Sequence, residues 1–157
     1  MIRVSQTEKF TELGAVTIDT PLSDGDIAAA AVTVKRLLPF DASSGSYRYS
    51  TTCSYYDPAL LNIIQHPFFE DVACTVLRTG AVHFFQTAIL ATYPQPGAVF
   101  SYDQHIDLQY ALLDLEATPR RIVCTFFLWL TDVSEKRAPM MWRPGSHRLL
   151  ARAWEGQ

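Results

Sequence analysis

Long apolar runs, a dominant sign of charge and paired cysteines are what this sequence lacks, and each absence removes a class of protein. No stretch reaches the roughly 20 consecutive apolar residues that span a bilayer, and Met1 to Lys9 lacks the apolar centre of a leader peptide. A soluble, unsecreted protein with no membrane partner is expected. Thirteen Lys and Arg against sixteen Asp and Glu leave a formal charge of −3 and no basic block. Nucleic acid is therefore not an expected partner. Cys53, Cys74 and Cys124 are odd in number and widely spaced, with no Cys-x-x-Cys. That argues against a disulfide framework or a zinc knuckle and for a reducing, cytoplasmic setting. Internal repeats and low-complexity tracts are absent too.

What is present is a chain of 157 residues, 48% apolar and 18% charged. A chain of this size buries roughly 68–70% of its unfolded surface, enough for one domain over 1–157 with a real core. Its texture changes near residue 80, from a mainly helical part over 1–80 to a β-rich part over 81–157.

In the first part, Thr7 to Leu13 reads as a short helix ended by Gly14, and Ala15 to Asp19 alternates like a brief strand. Ser23 with Asp26 forms a capping-box pattern opening a helix through Ile27, Ala31, Val34 and Leu38, stopped by Pro39. Residues 41 to 56 read as loop or irregular strand. Their tyrosines, Tyr47, Tyr49, Tyr55 and Tyr56, fit either a cleft lining or simple packing of a sheet edge. Asp57-Pro58 opens another helix through Ile64, and Pro67 separates it from Phe68 to Leu77.

In the second part, Ala81 to Tyr93, Val99 to Tyr110 and Ile122 to Leu130 read as three strands, the last a near-continuous apolar run. Pro94 to Gly97 and Glu135 to Pro139 are turns between apolar segments. Helices followed by successive strands predict an α+β fold whose strands form a sandwich or barrel.

The chemistry concentrates in His105-Ile106-Asp107. Side chains alternate along a strand, so His105, Asp107 and Gln109 share one face. An imidazole nitrogen and a carboxylate oxygen on one face supply two of the three donors by which non-haem Fe(II) oxygenases grip one side of the metal. An exposed His-Asp ion pair is the plainer alternative. Gln86 can donate and accept hydrogen bonds, and Arg121, Arg143 and Arg148 can each bind a carboxylate in a fork. His83, three residues before Gln86, faces the opposite way in a regular strand. His66, at a helix end before Pro67, reads as a C-terminal cap. Met140, Met141 and Trp142 read as apolar wall.

The ordered set around these residues resembles the phytanoyl-CoA dioxygenase family of Fe(II)- and 2-oxoglutarate-dependent oxygenases. Phe10-x-x-x-Gly14, Ser23-Asp24-Gly25-Asp26-Ile27, His66-Pro67, Gln86, His105-Ile106-Asp107, Thr131-Asp132-Val133 and Pro144-Gly145-Ser146-His147-Arg148 carry the likeness. The resemblance implies helices packed on a double-stranded β-helix, a cupin-like barrel. It also implies Fe(II) bound by His105 and Asp107, 2-oxoglutarate as co-substrate with Gln86 beside it, and O₂ with a small molecule as substrates.

By the same pattern the third metal ligand and the Arg that grips 2-oxoglutarate lie beyond the Pro-Gly-Ser-His block, where this sequence has only Arg148 to Gln157. The third ligand is thus expected to be absent and the barrel incomplete in its last strands. His147 is the in-chain substitute, although the matching family His belongs to a loop. An active hydroxylase is the first expectation, and an inactive fragment or binding module that self-associates through exposed sheet edges is the second.

Overall fold

The computed structural model describes residues 2–52, 57–84, 86–99, 105, 122–137 and 139–155. Asp107, Gln109, Arg121, Tyr55, Tyr56 and most of the Val99 to Tyr110 segment lie outside them. Among the described residues the order is α1 (Val4–Leu13), α2 (Asp24–Leu37), a short 3-10 turn (Ala42–Ser44), β1 (Arg48–Thr52), α3 (Pro58–Ile64), α4 (Pro67–Leu77), β2 (Ala88–Thr92) and α5 (Ser146–Glu155). Helices and a small two-stranded sheet give an α+β arrangement.

The centre is α2. Ser23 accepts the Asp26 amide, and the Asp26 carboxylate accepts back from the Ser23 amide, so the box seen in the sequence satisfies two otherwise orphan donors. Asp24 and Asp26 at its start and Lys35 and Arg36 at its end complement the helix dipole. Ala30, Val34 and Leu38, spaced four apart, form one buried stripe that meets Leu60 and Ile63 of α3 and Ile89 of β2. Ala30 is fully buried, so a larger side chain there would overpack this contact at about 1–3 kcal/mol.

Asp57 ties α3 to α2. One carboxylate oxygen accepts the Ala59 amide at 2.9 Å as N-cap and the Thr33 hydroxyl at 3.4 Å, while the other meets Arg36 Nη2 at 2.5 Å. The buried Thr33 hydroxyl thereby has its partner.

β1 and β2 pair antiparallel, with Tyr49 opposite Ala91 and Thr51 opposite Ile89. Those four residues share the face turned toward α2, as the period of two requires. Tyr47, Tyr49 and Tyr93 pack the edge of this sheet. Tyr93 donates to the Leu38 carbonyl at 2.7 Å and meets Tyr49 edge-on, with ring centroids 5.9 Å apart, and Phe40 stacks on both Tyr47 and Tyr93.

Four expectations need correction. Ala15 to Asp19 forms no strand with any of the described residues; it is an irregular link between α1 and α2, because alternation needs a neighbouring strand to give its backbone groups a ladder. Among the described residues of Ala81 to Tyr93 only Ala88–Thr92 is strand, so Gln86 lies just ahead of β2 rather than within it. Ile122 to Leu130 has no strand partner among the described residues and is not buried on both faces. Its burial still alternates: Phe126 stacks edge-on against Phe69 and Leu128 and Leu130 pack on the core, while Val123, Phe127 and Trp129 are about half exposed. Finally, His66 is not a C-terminal cap. It is the N-cap of α4, its Nδ1 accepting the Phe68 amide at 3.2 Å, because Pro67 at N1 starts a new helix immediately after it.

Candidate functional site

His105 is at the surface, and its neighbour in the metal motif, Asp107, lies outside the described residues. Among the described residues no three His, Cys, Asp or Glu side chains converge as a metal cage. The donor chemistry of the motif nevertheless fits Fe(II), since one imidazole nitrogen and one carboxylate oxygen are the borderline and hard ligands that metal takes. Gln86 and His83 are both exposed. Alternation had suggested opposite faces for them, but neither belongs to a strand.

The Pro144 to Arg148 block is placed in detail, and it meets α1. The Gly145 amide donates to the Leu13 carbonyl at 2.9 Å, and Arg148 Nη2 donates to the Thr11 carbonyl at 3.0 Å. His147 Nε2 lies 3.2 Å from that same Thr11 oxygen, so Nε2 carries the proton, because a carbonyl can only accept. These three donors cap carbonyls that the end of α1 leaves without helical partners. Cations at a helix C-terminus also meet the negative end of the dipole.

Gly14 makes the approach possible. It sits at φ 83°, donates to the Phe10 carbonyl to close the helix, and presents no β-carbon to the imidazole stacked against it. Both ring nitrogens of His147 thus face α1. To ligate a metal the ring would have to leave that contact.

The chain on either side of this clasp leads into one cleft of about 540 Å³. Thr17, just after Gly14, and Trp142, just before Gly145, line it together with Ile27, Trp129, Asp132 and Met140. Met140 and Trp142 are therefore wall, as expected, but the wall of a cleft and not of a closed core: Trp129 and Trp142 remain 49% and 47% exposed. Arg143 is exposed, and its carbonyl accepts the Ser146 amide at the start of α5. Of the cysteines, Cys124 is a partly buried thiol whose pKa is pushed up by desolvation, which suppresses the nucleophilic thiolate.

The clasp and the cleft were not legible in the sequence. Thr11 and His147 are 136 residues apart, and nothing local in either segment names the other. The one available signal was the pair of glycines, Gly14 and Gly145, both at positive φ beside the contact.

A mixed α and β chain with a His-x-Asp motif, and with a Pro-Gly turn leading Ser146, His147 and Arg148 into α5, is compatible with a non-haem oxygenase. The family model of phytanoyl-CoA dioxygenase matches residues 10–155, and the chain belongs to that family. At the family level this means an oxygenase of the Fe(II)/2-oxoglutarate type. Comparison with curated proteins and with solved structures brings out no relative. No helix among the described residues is long and apolar enough to cross a membrane.

Proposed function

We propose that this chain is an Fe(II)- and 2-oxoglutarate-dependent dioxygenase that hydroxylates an aliphatic C–H bond of a small molecule. The observation that carries the reading is the family match over residues 10–155, which includes His105-Ile106-Asp107. In this reading His105 and Asp107 hold Fe(II) through one imidazole nitrogen and one carboxylate. The iron, with 2-oxoglutarate and O₂ bound, supplies the oxidising chemistry. The protein's part is to bind, to orient and to keep water from the reacting centre.

Gln86, with donor and acceptor on one amide, is suited to hold the co-substrate carboxylate. A double-stranded β-helix completes the proposal. Its support is that Leu128 and Leu130 pack on the core while Phe127 and Trp129 stay about half exposed, the pattern of a strand with one face on a core.

Anaerobic addition of Fe(II) and then 2-oxoglutarate to the folded protein should produce the weak visible charge-transfer band of the chelate, and addition of O₂ should release succinate. His105→Ala should abolish the band. A folded protein that gives neither band nor succinate would overturn the proposal. His147→Ala should leave the band intact, since its imidazole is held on α1.

A further inference from the structure

The cleft between Thr17 and Trp142 has the size of a small-ligand site, and its composition is selective. Most of its lining is apolar: Ile27, Leu130, Val133, Pro139 and Met140. Two half-exposed indoles, Trp129 and Trp142, share it, and indole is the ring whose face attracts a cation most strongly. Among the described residues its one charged lining residue is Asp132.

Asp132 is also unspent. Its carboxylate has no ion-pair partner among the described residues, where the single pair is Arg36 with Asp57. Arg137 comes close, but its guanidinium donates to the Asp132 backbone carbonyl at 3.3 Å, and Arg137 does not line the cleft. An anion would meet the carboxylate with nothing to neutralise it. A neutral apolar guest would leave that charge and the faces of both indoles unused. An organic cation bearing alkyl groups uses all three surfaces, with charge toward Asp132 and the ring faces and methyl groups against Met140 and Ile27.

One edge of the cleft is also tied before any ligand arrives. The Leu13 carbonyl to Gly145 amide bond joins the two strands of chain that lead to Thr17 and to Trp142. A fixed cleft loses less order on binding than one that must close.

We propose that this cleft binds a small alkylammonium ion, with Trp129, Trp142 and Asp132 as its recognition groups. The site stands on the cleft alone and uses no iron, so its test is a binding measurement on metal-free protein. The probes are choline and its uncharged isostere 3,3-dimethyl-1-butanol, followed by tryptophan fluorescence in a Trp154→Phe background and by calorimetry.

Choline should bind at least about tenfold more tightly than the isostere, and added salt should erode the difference. Asp132→Asn, a surface change that leaves the packing alone, should remove most of that preference and bring the two probes nearly level. Trp142→Leu should weaken choline more than the alcohol, with circular dichroism confirming that the variant is folded. Equal affinity for both probes in the parent protein, no binding of choline, or an unchanged preference in Asp132→Asn would each overturn the proposal.

Discussion

Gly14 and His147 approach so closely that a β-carbon on Gly14 would lie 2.5 Å from the imidazole Nδ1. Two separate demands fall on this one glycine, since its φ of 83° also lies in the left-handed region. Gly14→Ala should cost about 1–2 kcal/mol from the backbone alone, read from chemical denaturation. It should cost more because the ring must swing away and give up the Thr11 carbonyl. In a His147→Ala background only the backbone part should remain, a coupling of roughly 0.5 kcal/mol or more. Equal losses in the two backgrounds would show that the clasp does not contribute.

Asp57 separates the worth of a cap from the worth of an ion pair. Arg36 is mostly exposed, so Arg36→Ala should cost no more than about 1 kcal/mol. Asp57→Ala removes the cap on α3 and the acceptor for the buried Thr33 hydroxyl, and should cost about 2–3 kcal/mol. Asp57→Asn, which keeps the capping oxygen, should fall between them. Denaturation midpoints of the three variants give the order directly.

Acid should loosen the N-terminal layer in a defined window. Hydrogen bonds from the Ser23 hydroxyl and then its amide hold the Asp26 carboxyl below its ordinary value of 3.8, and those from Ser43 do the same for Asp41. A depressed carboxylate pKa adds stability that is complete above the unfolded value and is lost as pH falls through the folded one. Stability should therefore decline below about pH 4, and a Ser23→Ala, Ser43→Ala double variant should show a shallower decline there. An identical pH profile for parent and double variant would remove these two carboxylates from the acid response.

Arg78 ends α4 at φ 54°, a left-handed position occupied by a residue with a β-carbon. Arg78→Gly should raise stability by roughly 0.5–1 kcal/mol, because glycine reaches this C-terminal conformation without strain. Thermal melting detects a gain of that size as a rise of a few degrees.

The four helices of the first part were legible because their signals are local, whereas α5, in the part read as β-rich, was not. Ser23 and Asp26, Asp57-Pro58, Pro67 and Gly14 each set a boundary within a few residues of itself, and each boundary is where the structure has it. The exception, His66, misled because the same imidazole can serve the end of one helix or the start of the next. The apolar run from Ile122 to Leu130 was harder still: its composition is that of a buried strand, but pairing depends on partners elsewhere in the chain. The metal motif was visible as residue types and spacing in His105 and Asp107. The cleft was not, since Thr17, Asp132 and Trp142 meet only through tertiary structure.

The pairing of β1 with β2 has no turn of its own, for α3 and α4 stand between the two strands in sequence. A ladder of that kind cannot nucleate as a hairpin, because its loop-closure entropy is lost before any of its hydrogen bonds form. The apolar stripe of α2 packs on α3 and on Ile89 of β2, so docking of α3 on α2 is expected to come before the sheet in refolding. Substitutions along the ladder, such as Ile89→Val, should therefore raise the unfolding rate and leave the refolding limb of a chevron nearly unmoved.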